Sequence, residues 1–197
     1  MMKILFASPH RDLLQAYERI LREEKMEVTT AFDGTQVFHS VSASRPDFAI
    51  LDQTIPRISS ERILEYLSEE KIPVIELLPG RLVTAFFLKT PLPQAFLSFP
   101  FSPKELIECI RDLEWLLQKE AFSFGGVTVD PAAFLLNGSV RLTSSEILLL
   151  EAAKSGAVQT DRKLCCVTDA LNEKLKTTDT RIRWREGRGW EWRMKDE

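Results

Sequence analysis

Two hydrophobic periods alternate through residues 1–120. Short runs in which almost every position is apolar give way to longer stretches whose apolar positions recur every three or four residues, the pattern of a parallel sheet with helices on its faces. Met2 to Ala7 is the first run, and Asp12 to Glu24 then sets Leu13, Leu14, Tyr17, Ile20 and Leu21 on one helical stripe. Glu27 to Ala31 predicts a second strand ending in the turn pair Asp33-Gly34, and Phe48 to Leu51 a third, between Pro46 and a loop reaching Pro56. Ser59 predicts the cap of a helix carrying Ile63, Leu64 and Leu67, while Pro73 to Leu77 and Phe96 to Phe99 predict strands four and five. Ser102, Pro103 and Glu105 supply cap, first-turn proline and early acid in the right order for a last helix through Leu117. One segment breaks the rhythm: Leu82 to Leu88 is rich in β-branched and aromatic residues where a helix belongs.

After residue 120 the pattern changes. Phe122 to Val129 and Phe134 to Leu142 predict short strands with turns at Asp130-Pro131 and Asn137-Gly138, the second a strong hairpin signal. Thr143 and Glu146 form a capping-box pair ahead of Ile147, Leu149, Leu150 and Ala153, and Gly156 marks a stop. A further helix is expected over 161–176, with Leu164, Val167, Leu171 and Leu175 on one face, and Arg181 to Arg193 reads as a hairpin bent at Gly187-Arg188-Gly189. The fold class predicted is therefore an α/β domain with a five-stranded parallel sheet over residues 1–119, followed by a small α+β domain over 120–197.

Composition narrows the setting. At 197 residues, 44% hydrophobic and 28% charged, the chain supplies two modest cores and is not a disordered polymer. No run approaches the roughly 18 apolar residues of a membrane span, and the start shows no signal-peptide pattern, so a cytoplasmic protein without a membrane partner is expected. Cys109, Cys165 and Cys166, with only His10 and His39 to join them, lack zinc-ligand spacing; buried thiols are expected, with no metal and no cofactor. Residues 1–120 hold 14 basic and 18 acidic side chains and the remainder 12 and 11, which permits one basic patch, where Arg181, Arg183, Arg185, Arg188, Arg193 and Lys195 crowd together.

Two segments of the first half carry a family resemblance. Pro46-Asp47-Phe48-Ala49-Ile50-Leu51-Asp52-Gln53-Thr54-Ile55-Pro56 resembles the strand and loop that present the phosphoacceptor aspartate of response-regulator receiver domains, and Phe99-Pro100-Phe101-Ser102-Pro103-Lys104-Glu105-Leu106 resembles their Lys-Pro-Phe segment. Leu142-Thr143, Glu146, Leu149 and Leu150, with Ile182-Arg183 through Gly187-Arg188-Gly189-Trp190, resemble the first helix and the wing of a winged-helix domain. The whole chain thus resembles OmpR/PhoB-type two-component regulators, in which a receiver (flavodoxin-like) domain precedes a DNA-binding winged helix.

The resemblance implies a phosphoryl transfer to Asp52, which needs a divalent metal, acidic ligands and a lysine to neutralise developing charge. Here the acidic pair falls on Ser8 and Pro9, the switch hydroxyl on Leu78 and the lysine on Phe99; the aromatic switch position survives as Phe96. Asp52 is thus expected not to be phosphorylated in the ordinary way, and its alternative reading is a solvated acid at a loop edge. The resemblance also implies a cis Phe99-Pro100 bond. The apolar Val83 to Leu88 run falls on the face the family uses for dimerisation, so a homodimer through the receiver-like domain is expected, with inward packing of Phe86 and Phe87 as the alternative. On the salt-bridge face common in the family, Ala95 and Cys109 replace charged residues while Glu105 remains.

For DNA the expected contacts are Thr168, Asn172 and Lys176 on the recognition helix and Arg181, Arg183, Arg185 and Arg188 on the wing. That helix face also carries Asp169 and Glu173, which phosphate repels, and the stretch from Glu146 to Gly187 is shorter than the family's. Alternation puts Arg181, Arg183 and Arg185 on one side of their strand and Ile182 and Trp184 on the other. The family's wing arginine falls on Glu186. The function expected is an atypical, non-enzymatic regulator of transcription that binds DNA without phosphorylation; the second reading is a protein-interaction module that meets another regulatory protein and no longer binds DNA.

Overall fold

The structure is a computed structural model and describes residues 1–80, 95–124, 127–155, 171–177, 180–185 and 189–194. The chain divides into two compact units, Met1–Arg111 and Asp112–Glu197.

The first unit is a parallel sheet wrapped by helices. Its elements run β1 (Lys3–Ala7), α1 (Arg11–Glu23), β2 (Glu27–Ala31), α2 (Gly34–Ala43), β3 (Phe48–Asp52), α3 (Ser60–Glu69), β4 (Val74–Leu78), β5 (Ala95–Ser98) and α4 (Pro103–Leu117), the last continuing into the second unit. The strands pair in parallel in the order β2-β1-β3-β4-β5. β3 and β4 are buried at all five positions, which is why they read as continuous apolar runs rather than alternating ones. One core layer joins Leu5, Ala49 and Leu51 of the sheet to Val37 and Val41 of α2 and to Ile63, Leu64 and Leu67 of α3. Each of its valine, leucine and isoleucine side chains contributes roughly 1.5–3 kcal/mol on burial.

Helix starts follow the polar signals. Ser59 Oγ accepts from Arg62 N at 3.4 Å, and Ser102 and Glu105 bond reciprocally at 2.9–3.2 Å. Three expectations need correction. Asp33-Gly34 is not a turn: Asp33 caps α2 by accepting from Gln36 N at 3.0 Å, and Gly34 begins the helix because a Cβ there would lie 2.6 Å from Ile58 Cβ. Strand four begins at Val74, since Pro73 offers its carbonyl to Ala49 N but has no N–H for a ladder. Strand five runs from Ala95 to Ser98, leaving Phe99 in the turn, and the Phe99–Pro100 peptide is cis as the resemblance implied.

In the second unit β6 (Phe122–Phe124), β7 (Val127–Asp130), β8 (Leu135–Leu136) and β9 (Val140–Arg141) form an antiparallel sheet in chain order. Asn137 (φ 51°) and Gly138 (φ 72°) are both left-handed, as a tight hairpin between β8 and β9 requires. The capping box opens α5 (Ser144–Ser155): Glu146 Oε2 accepts from Thr143 N at 2.6 Å, and Thr143 Oγ1 accepts from Glu146 N at 3.3 Å. Residues 171–174 are helical and tighten into a 3-10 turn at Leu175–Thr177, so this helix ends short of the expected Lys176. β10 (Thr180–Arg185) and β11 (Gly189–Met194) pair antiparallel as the expected hairpin. Among the described residues no helix is long and apolar enough to cross a membrane.

Candidate functional site

Asp52 closes β3 beside the end of β1, because the register that sets Ala7 against Leu51 brings the next residues, Ser8 and Asp52, side by side. Its carboxylate is 1% exposed, so the reading of Asp52 as a solvated loop-edge acid is corrected. Oδ2 accepts from Ser8 Oγ at 2.7 Å; Oδ1 accepts from Thr54 Oγ1 at 2.7 Å and from Thr54 N at 2.9 Å. Ser8 Oγ in turn accepts from His10 N at 3.2 Å, which commits its single proton to Asp52. Hydroxyl-to-carboxylate bonds of this length are charge-assisted and strong. They offset the cost of burying the anion without a cation.

This donor set does not fit a magnesium ion. Magnesium asks for six oxygens in near-ideal octahedral geometry, drawn here from one buried carboxylate whose two oxygens are already engaged, next to a serine and a proline. Among the described residues no group of three or more His, Cys, Asp and Glu side chains could hold a metal. Where the resemblance implies a lysine stands Phe99, whose ring lies 4.8 Å from that of Phe101; Phe101 lies 5.2 Å from Tyr17, and Tyr17 6.1 Å from Phe6. Tyr17 Oη donates to the Phe101 carbonyl at 2.8 Å, and burial, with Glu105 nearby, raises its pKa.

Phe96 lies half-buried on β5, registered against Glu76 of β4. Glu76 is the one acid within the otherwise apolar run from Val74 to Leu78, a signal that sequence alone carries without showing its burial. It is 4% exposed, and burial, with Glu61 as a like charge, raises its pKa to about 7. Two hydroxyls also belong to the site without being expected there: Ser8, for which the sequence gives no sign of a partner 44 positions away, and Thr54, whose place two residues after Asp52 is the local signal of an Asx-type turn.

The expected DNA contacts are only partly described. Asn172 is half-buried in the helical 171–174 segment, and Lys176, exposed, pairs with Glu173 at 2.5 Å. Leu171 and Leu175 are fully buried, as expected of that helix's inner face. Lys174 reaches Glu146 Oε2 at 2.7 Å, an almost buried ion pair tying this segment to the start of α5. Arg181, Arg183 and Arg185 alternate along β10, with Arg193 and Glu191 registered opposite Arg181 and Arg183. Thr168 and Arg188 lie outside the described residues, as does the 83–88 run. Cys109 is half-buried rather than buried.

The sheet order and the helices around it recur in solved structures. The response regulator receiver domain protein from Clostridium thermocellum superposes with a TM-score of 0.51 at 24% identity, over 57% of this chain and 93% of that one. The first unit has the receiver fold. The receiver domain of the TMAO respiratory system response regulator TorR gives a TM-score of 0.53 at 16% identity, covering 58% of this chain and 98% of that one. No family model matches the chain. In sequence it is similar to response regulator MprA of Mycobacterium tuberculosis, 26% identical over 161 residues, 76% of this chain and 70% of the relative. That match is longer than the first unit, so it runs on into the second.

Proposed function

We propose that this protein is an atypical response regulator, a DNA-binding regulator of transcription and not an enzyme, that works without phosphorylation of Asp52. The observation that carries the reading is the sealed carboxylate: both oxygens of Asp52 accept from hydroxyls at 2.7 Å in a pocket that is 1% exposed. An aspartate held in this way is not poised to attack a phosphodonor, and the residues that would hold the metal and neutralise the product are Ser8, Pro9 and Phe99. DNA binding is supported by a match to MprA that runs past the first unit and by the alternation of Arg181, Arg183 and Arg185 along β10, with Arg188 next among the arginines in sequence. In this reading the second unit is a shortened winged helix, with α5 as its first helix and β10–β11 as its wing.

Two measurements test it. Incubation of the full chain with acetyl phosphate and magnesium, followed by intact mass, is expected to show no added phosphoryl group; stoichiometric addition overturns the phosphorylation half. Retention on duplex DNA is expected to weaken steeply with salt, and to vanish when Arg181, Arg183, Arg185 and Arg188 are changed to Ala. No retention even at low salt overturns the other half. One observation favours the second reading, a protein-interaction module: Lys176, an expected DNA contact, is already paired with Glu173 on the same exposed turn. Stoichiometric capture of one protein partner, with no nucleic acid retained, would decide for it.

A further inference from the structure

Glu76 stands at the middle of β4, in a strand buried at all five positions, and is itself 4% exposed. A buried carboxyl ordinarily has a donor; Asp52, one strand away, has three. No hydrogen bond or ion pair reaches the Glu76 carboxyl among the described residues. The register sets Leu51 of β3 on one side of it and Phe96 of β5 on the other, neither charged. From α3 the titratable group that acts on it is Glu61 in the first turn, a like charge, while Arg62, Glu65 and Glu69 lie on the exposed side of that helix. Arg81 and Lys89, the cations that follow β4 in sequence, lie outside the described residues. Desolvation and repulsion therefore both oppose the charged form, and the pKa is raised to about 7.

We propose that Glu76 is a proton-operated latch on the β4–β5 edge of the sheet. Protonated, the carboxyl stays inside the apolar layer and β5 stays seated; ionised, it draws toward water and reshapes β4 and β5 around Phe96. β5 is the element placed to respond, because it is the edge strand, four residues long, paired on one side, and half-buried at three of its positions. Short edge strands with few buried contacts open first. The latch supplies an input, proton concentration near neutrality, to a domain whose Asp52 is already bonded to Ser8 and Thr54. It goes beyond the DNA-binding reading and does not depend on it.

The experiment is an NMR titration of the full chain, carboxyl-labelled, from about pH 5 to about pH 9, without nucleic acid. The Glu76 carboxyl is expected to titrate near pH 7, with the amides of residues 75–78 and 95–98 shifting at the same midpoint while those of β2, at the far edge of the sheet, stay still. Amide exchange in β4 and β5, corrected for its base-catalysed rate, is expected to show opening that grows roughly tenfold between about pH 6 and about pH 8. Glu76→Gln removes both effects, and Glu61→Gln lowers the midpoint by relieving the repulsion. A Glu76 midpoint at the ordinary value of 4.5, or β4–β5 shifts that persist in Glu76→Gln, overturns the proposal. If Glu76→Gln fails to fold, the unmodified chain and Glu61→Gln still decide it. Failure here leaves the DNA-retention result standing, and the reverse holds equally.

Discussion

Two acids, one strand apart, are buried by opposite means. Asp52 is met by three donated hydrogen bonds, and Glu76, without them, is pushed toward its neutral form. Removing the Ser8 hydroxyl therefore strands Asp52 Oδ2 in a buried site. Ser8→Ala is expected to destabilise the protein by about 1–3 kcal/mol in urea unfolding, whereas the same change at exposed Ser68 is expected to stay within about 0.5 kcal/mol. Glu76 sets a pH dependence of definite sign. Its folded pKa, about 7, lies above the reference of 4.5, so its contribution is fully present below pH 4.5 and is lost as pH rises through about 7. The loss is on the order of 3 kcal/mol, and a Glu76→Gln variant followed by urea unfolding across that window is expected to show a flatter profile than the natural chain.

At the scale of elements, two contacts hold local structure that neither neighbour supplies. Gly34 lets α2 start against α3, and Gly34→Ala forces a Cβ to 2.6 Å from Ile58 Cβ and 3.0 Å from Ile63 Cδ1. The expected cost is about 1–3 kcal/mol by thermal or urea unfolding, although alanine is the better helix former. Glu146 serves both the α5 capping box and Lys174. Glu146→Gln keeps an acceptor for the cap but leaves a nearly buried ammonium without its anion, and about 3 kcal/mol is the expected loss, read in the unfolding of the second unit. Much of this was legible in the sequence: Ser59, Ser102 with Glu105, and Thr143 with Glu146 announced their helices because capping is a contact over three residues. The strand ends, the α2 start at Gly34, the Ser8 partner of Asp52 and the Glu146 partner of Lys174 were not, because each is set by a neighbour tens of residues away whose position only the fold supplies.

Across the whole molecule, α4 runs through the point at which the two compact units divide. Leu106, Ile110, Leu113 and Leu116 recur along it at helical spacing and are all fully buried. A chain ended after Arg111 cuts this helix in two and is expected to unfold less cooperatively in a thermal scan than one ended after residue 119, which keeps α4 whole. The expected boundary at residues 119–120 thus makes a practical prediction about where the chain can be divided. The DNA reading belongs to this scale as well: if four wing arginines each meet a phosphate, their removal lowers the slope of log affinity against log salt by up to about 3–4.

The hydroxyl of Ser8 has one further consequence. A phosphorylated aspartate gives a regulator a memory with a lifetime, set by how fast a donor loads it and how fast water unloads it. With Ser8 bonded to Asp52 that clock has no moving part, and on the proposed reading the protein's output follows how many copies the cell holds and, through Glu76, the surrounding pH. Control then passes from phosphoryl transfer to the rates of the protein's synthesis and destruction and to a proton that equilibrates at once.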